Sequence, residues 1–262
     1  MASSLRLRTR ADLQFSRASP GLIRTQPWTA AGVWAAAVAC WLLLLWGAID
    51  MASPVMQLTM PLSAWSLSNW GAVFAMWVIM MGAMMLPSAA PMMLSFAALN
   101  RKGAERSRTL LFIGAYLALW AAFGGAATIL QWWLQSFGWI TPMIVSTSVG
   151  LSATLLLIAG VFQFSPLKRA CLRACRSPLG FLISDWREGL AGAWHMGVRH
   201  GLYCLGCCWA LMTLLFVGGA MNFPWIAALA SLVAIEKLAP RGQLIAQLLG
   251  GAMIATGIIR LM

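Results

Sequence analysis

The stretch GAVFAMWVIMMGAMMLPSAAPMMLSFAA, from Gly71 to Ala98, carries no charged side chain. A helix that crosses the hydrocarbon of a bilayer needs about 20 predominantly apolar residues, so this stretch reads as a membrane span. Five further runs have the same character: Trp28 to Ile49, Leu110 to Leu134, Met143 to Phe164, Gly201 to Ala220 and Gln243 to Leu261. The segment from Phe223 to Glu236 reaches only about 21 Å at about 1.5 Å per residue, which predicts a short, partly buried seventh helix. Strands of a membrane barrel would alternate apolar and polar residues over about 10 positions, and these runs do not.

Composition agrees with that reading. The chain of 262 residues is 61% hydrophobic and 9% charged, against about 45 to 50% apolar and about 25% charged in soluble domains. An ordinary soluble domain is excluded. Eighteen Lys and Arg against six Asp and Glu give a net charge of +12, but the basic residues sit in short islands between apolar runs. A nucleic-acid binder would gather them on one face, so nucleic acid is not an expected partner. The expected fold is an all-α polytopic bundle of six to seven spans, with the lipid bilayer as its first partner.

Basic residues that flank spans collect on the cytoplasmic side. Arg6, Arg8, Arg10, Arg17 and Arg24 place the N-terminus inside, and the stretch from Asp50 to Trp70, free of Lys and Arg, is placed outside. Arg101, Lys102, Arg106 and Arg108 fall inside, Gln135 to Pro142 outside, and Lys168, Arg169, Arg173, Arg176, Arg187 and Arg199 inside. Met221 to Pro224 is then outside and Lys237 and Arg241 inside, which leaves Arg260 near an outward C-terminus. The alternation closes only if the short segment crosses back, which favours seven crossings.

Residues 1–27 therefore read as a basic cytoplasmic tail and residues 28–262 as one integral membrane domain in a cell's inner membrane. An Arg-rich, acid-poor tail also resembles a transit peptide, but the charge alternation needs it as an orientation signal. Cys40, after a run of alanines, reads as a packed thiol in a span rather than a lipoprotein site. The longest polar stretch, residues 165–199, is broken by Pro166, Pro178, Gly189 and Gly192. It is expected to be a cytoplasmic loop with one interfacial helix around Phe181 to Glu188. Gly114, Ala118, Ala122 and Ala126 recur every fourth residue, a spacing that lets membrane helices approach closely, and are expected to pack.

The chemistry concentrates in His200-Gly-Leu-Tyr-Cys204-Leu-Gly-Cys207-Cys208-Trp. Positions three and four apart share a helix face, so Cys204, Cys207 and Cys208 converge, with His200 one turn before and Met212 one turn after. Buried cysteines are often only small hydrophobes, and a disulfide within one helix is geometrically strained. A metal site is the third reading. The counterpart is the second span, where Met80 and Met84 share a face with Met76, and Met81 and Met85 share the next. Thiolate and thioether together select Cu(I), while methionine is also common core filler. Pro87 and Pro91 disfavour a straight helix. Counting from the helix ends puts Met84 to Pro87 level with Cys207. Glu236 is also within reach of the hydrocarbon, where a carboxylate is costly and marks function, unless Lys237 neutralises it locally.

The blocks MWVIMMGAMMLPSAAPM, PLKRACLRACRSP, GLYCLGCCWALM, GGAMN and IEK, in that order between Gly71 and Gly257, resemble a bacterial family of predicted metal-binding integral membrane proteins. Its members are sometimes labelled copper chaperones. The resemblance implies metal binding without a mechanism, and its motifs mark Met80, Met81, Met84, Met85, Pro87, Cys204, Cys207, Cys208 and Glu236. Cys171 and Cys175, among Lys168, Arg169, Arg173 and Arg176, form a second thiol pair. Flanking cations raise thiol reactivity, so the pair could take metal from a cytosolic carrier, act in redox, or stay plain reduced cysteines. His195 reads as a helix-end histidine.

No nucleotide loop, HExxH motif or set of histidines for haem pairs is present. The expected function is Cu(I) handling or delivery through a Cys/Met site between the second and fifth spans, with His200 and Glu236 as further candidate ligands and a copper-accepting protein as partner. The rival is a membrane thiol oxidoreductase that uses Cys204, Cys207 and Cys208 without metal; a scaffold for a partner is a third class.

Overall fold

A computed structural model describes residues 26–62, 64–100 and 105–262. The basic tail to Arg24, and Arg101 and Lys102, lie outside the described residues. Those described form helices with a single isolated bridge, Ile140 to Ser146, and no strand.

In chain order the helices are α1 (Pro27–Ile49), α2 (Pro54–Leu58), α3 (Leu67–Leu99), α4 (Glu105–Ser136), α5 (Val149–Gln163), α6 (Pro166–Arg176), α7 (Pro178–Asp185), α8 (Gly189–Thr213), α9 (Leu215–Gly218), α10 (Phe223–Leu238) and α11 (Gly242–Leu261). Their starts follow local chemistry. Ser66 and Asn69 form a reciprocal capping box ahead of α3, Ser148 accepts from the Leu151 amide, Ser165 from Lys168 and Asn222 from Trp225. Each satisfies one of the amides that a helix N-terminus leaves without an internal partner.

Five segments are long and apolar enough to cross a membrane: α1, α3, α4, α11 and the run Gly189–Gly218 made by α8 with α9. Helices α5 and α6 meet at a 65° bend, and a sixth crossing results if the pair is one broken span. Helix α10 has 16 residues, about 24 Å at about 1.5 Å per residue, against a hydrocarbon thickness of about 30 Å. The short seventh helix is present, and seven crossings would need both α5 and α10 to traverse with less than a full span.

Three expectations are corrected. The fourth run begins at Val149 rather than Met143, because the apolar stretch before Ser148 is held in a loop where Thr141 donates to the Val145 carbonyl and Ser146 to the Phe216 carbonyl. Residues 165–199 are helical over most of their length, as α6, α7 and the first turns of α8, since Pro166 and Pro178 start helices rather than interrupt them. The small-residue stripe Gly114, Ala118, Ala122 and Ala126 faces outward and is exposed; α4 meets α8 through Phe112, Ala115 and Tyr116 instead.

Helix α3 is the axis of the bundle. Of its most apolar window 67% is buried, against 17% for α1 and 22% for α11, so α1 and α11 are rim helices whose outer faces suit lipid. Helix α3 packs on α1, α4 and α10, α8 packs on α4 and α6, and α5 packs on α11. Pro87 and Pro91 lie inside α3, which continues through both as one helix of 33 residues. Ser88 and Ser95 donate to the carbonyls of Met85 and Pro91, so hydroxyls re-engage backbone acceptors next to the prolines.

Candidate metal centre

The face of α8 that turns inward carries His200, Cys204, Cys207 and Cys208, of which the three cysteines are each 1% exposed. The helical spacing therefore does bring the thiols together. The sulfurs of Cys207 and Cys208 both lean back on the Cys204 carbonyl, at 3.1 and 2.9 Å. Tyr116 of α4 shares a 3.1 Å hydrogen bond with Cys204 Sγ.

Three other helices close on this face. From α3, Met85 Sδ lies 4.0 Å from Cys208 Sγ. From α6, Cys175 Sγ lies 4.0 Å from Cys207 Sγ. From α10, Lys237 Nζ donates to Cys204 Sγ at 2.9 Å, to Ser88 Oγ at 3.2 Å and to Met85 Sδ at 3.8 Å. With metal–sulfur bonds of about 2.3 Å, two ligand sulfurs stand about 3.8 Å apart in a tetrahedral site and about 4.6 Å in a linear one. Both sulfur pairs already have separations in that range.

The remaining candidates separate clearly. Met80, Met81 and Met84 are as buried as Met85 and belong to the same buried cluster as the cysteines, but among the described residues only Met85 has its sulfur within 4.0 Å of a cysteine sulfur or of Lys237 Nζ. Glu236 is 2% exposed, and its two oxygens are taken by Lys168 Nζ at 2.6 Å and Gln163 Nε2 at 3.0 Å. Its partner is thus Lys168 rather than Lys237, because neighbouring residues on a helix point in different directions. The carboxylate fastens α10 to α5 and α6.

His200 stacks beside Phe112 and Tyr116 and tilts against Phe181. Among the described residues, neither ring nitrogen has a hydrogen-bond partner although His200 is 2% exposed. Buried polar atoms are rarely left so. The ring borders a small cavity of about 10 Å³, shared with Cys175, Cys204, Ser88, Arg176 and Lys237, about the room one water requires.

Among the described residues, no three of His, Cys, Asp and Glu already stand as a finished ligand set. The sulfurs are turned to the Cys204 carbonyl and the ammonium rests on Cys204, so side-chain rotation precedes any binding at this cluster. The donor set is nonetheless soft throughout: thiols, a thioether and an unpaired imidazole. Sequence reasoning missed Lys237 and Tyr116 as members, and left Cys175 in a separate loop pair. The IEK block was the available signal for Lys237; none existed for Tyr116.

No curated protein and no solved structure matches the chain. A family model described as copper chaperone, PpoB2, matches residues 74–260. That match takes in α3 through most of α11, and with it every residue of the sulfur cluster, so the chain belongs to the PpoB2 copper chaperone family.

Proposed function

We propose that this protein is a membrane-embedded carrier of Cu(I) that holds the ion as cargo at Cys204, Cys207, Cys208 and Met85 and passes it to a copper-accepting protein. The observation that carries the reading is the convergence of soft donors from two helices, with Cys208 and Met85 sulfurs 4.0 Å apart at one depth. Thiolate and thioether ligands favour Cu(I) over the harder divalent ions. His200 offers imidazole nitrogens on the cavity that Cys204 and Cys175 also border.

The charge of such a site needs an offset. Cu(I) bound by three thiolates carries two net negative charges, which is costly away from water. The Lys237 ammonium, 2.9 Å from Cys204 Sγ, offsets one of them without acting as a ligand. A buried lysine beside a thiol cluster is otherwise an expense with no return.

The basic ends of α4 and α8 meet where Arg108 reaches Glu188 and the Arg187 carbonyl, and those of α6 and α10 meet where Arg176 reaches the carbonyls of Ala239 and Pro240. By the positive-inside tendency we assign both to the cytoplasmic side, in an inner membrane, with the N-terminus inside. A reporter active only outside the cytoplasm, fused after Met262, is expected to be active.

The test of function is a Cu(I) competition titration on purified full-length protein, beside the Cys204→Ser, Cys207→Ser, Cys208→Ser triple variant. The parent is expected to bind stoichiometric Cu(I) and the variant none. Full occupancy in the variant would move the site elsewhere. Thiols that bind no metal but titrate as reduced before, and as oxidised after, exposure to a quinone would favour the oxidoreductase reading.

A further inference from the structure

Helix α6 was expected to be loop, and its position against α8 puts a fourth thiol beside the buried three. Cys175 is partly exposed, whereas Cys204, Cys207 and Cys208 are each 1% exposed. Its sulfur is 4.0 Å from Cys207 Sγ and it borders the cavity that also touches Cys204 and His200. Cys171, one turn earlier on the same face, packs against α8 where a Cβ on Gly206 would stand 2.8 Å from its sulfur. The glycine in Cys204-Leu-Gly-Cys207 therefore lets α6 lie close enough for thiols of both helices to meet.

The seat of α6 is built rather than incidental. Near its start Lys168 is locked to Glu236 at 2.6 Å with both side chains 2% exposed. At its end Arg176 donates to the carbonyls of Ala239 and Pro240 at 2.6 and 3.0 Å. Its outward face presents Arg169 and Arg173, both exposed. A Cu(I) complex of small thiols is anionic, so that face favours its approach.

We infer that Cys175 is the transfer thiol through which Cu(I) reaches the buried cluster, a step that rests on the Cu(I) reading above. The chemistry is ligand exchange at constant oxidation state. The copper–sulfur bond to a thiol carrier breaks as one to Cys175 forms, and the Cys175 proton leaves with the carrier's thiolate. A second exchange then breaks the bond to Cys175 and forms one to Cys207, whose proton returns to Cys175. No electron is transferred, and the 4.0 Å separation lets the ion be shared by both sulfurs midway.

The experiment uses the full chain and Cu(I)–glutathione as the probe, with both the rate of loading and the final copper content measured for the parent, Cys175→Ser and Cys171→Ser. Cys175→Ser is expected to reach the parent's copper content but about tenfold more slowly, because a preorganised intramolecular exchange is replaced by direct attack of the carrier on a buried thiol. Cys171→Ser is expected to load at the parent's rate. Loading of Cys175→Ser as fast as the parent would overturn the inference while leaving the Cu(I) site intact. Loss of final occupancy in Cys175→Ser would overturn it too, by making Cys175 a permanent ligand. A parent that takes up no copper would remove the underlying reading and this step with it.

Discussion

Two seams in this bundle are made by glycine, and they hold different contents. Between α5 and α11, a Cβ on Gly160 would lie 2.8 Å from the Gly250 carbonyl, and one on Gly250 2.9 Å from the Gly160 carbonyl. That seam is backbone against backbone, with Ile254 and Leu157 beside it and with Gln163 and Phe164 against Gly250. Between α8 and its neighbours, Gly197 meets Ala115, Gly201 meets Leu119 and Gly206 meets Cys171. There the close approach delivers Tyr116, Cys175 and the buried cysteines to one another. Small residues are the general means by which membrane helices approach. What distinguishes the second seam is that sulfur groups are gathered where the backbones converge, whereas the first buries one polar side chain, Gln163, against Gly250.

That difference can be broken from either side. The largest loss of stability is expected from Lys168→Met, which leaves Glu236 as a buried carboxylate with only Gln163 as partner. Stranding one member of a buried ion pair costs about 3–5 kcal/mol. Chemical unfolding of the detergent-solubilised protein should show it, and adding Glu236→Leu to Lys168→Met should restore much of the loss. If Lys168→Met unfolds like the parent, the pair does not fasten α6 to α10. Next, Gly250→Val crowds the α5–α11 seam and should cost about 1–3 kcal/mol while the copper bound per folded chain stays unchanged. A fall in Cu(I) affinity there would mean that the two seams are not separable.

Smaller effects sharpen the role of single sulfurs. Met85→Leu keeps volume and apolarity, so its stability should change by less than about 1.5 kcal/mol, but Cu(I) affinity should fall in a competition titration. Met84→Leu should leave both unchanged, as among the described residues its sulfur has no hydrogen bond to the cysteines or Lys237, whereas that of Met85 has both. Equal affinities for the two variants would make Met85 core as well.

Much of this was legible in the primary structure, for reasons that also explain what was not. The apolar runs announced α1, α3, α4 and α11 because a helix in lipid must satisfy its backbone internally. Counting from the helix ends put Met84 to Pro87 level with Cys207, and Met85 Sδ lies 4.0 Å from the neighbouring Cys208 Sγ. Met143 to Val145 look like the start of a span, yet Ile144 sits at φ 63° in a loop whose amides pair with Thr141 and Phe216 carbonyls. Apolarity alone cannot tell a helix start from a loop tucked under neighbours. Cys175 stayed outside the expected site because its proximity to Cys207 depends on the 65° bend between α5 and α6. Neutralisation of Glu236 by its sequence neighbour Lys237 was one of two open alternatives, whereas the helix turns Lys237 toward Cys204 and gives Glu236 to Lys168. Long-range pairing of this kind has no signature in spacing.

The account rests on sulfur as the ligand of a monovalent copper ion. X-ray absorption at the copper edge of the full-length protein, loaded stoichiometrically with Cu(I), tests that most directly. The expected spectrum is that of Cu(I) with a first shell of sulfur at about 2.3 Å, the distance typical of metal–thiolate bonds. A first shell of nitrogen or oxygen alone, at about 2.0 Å, would contradict it.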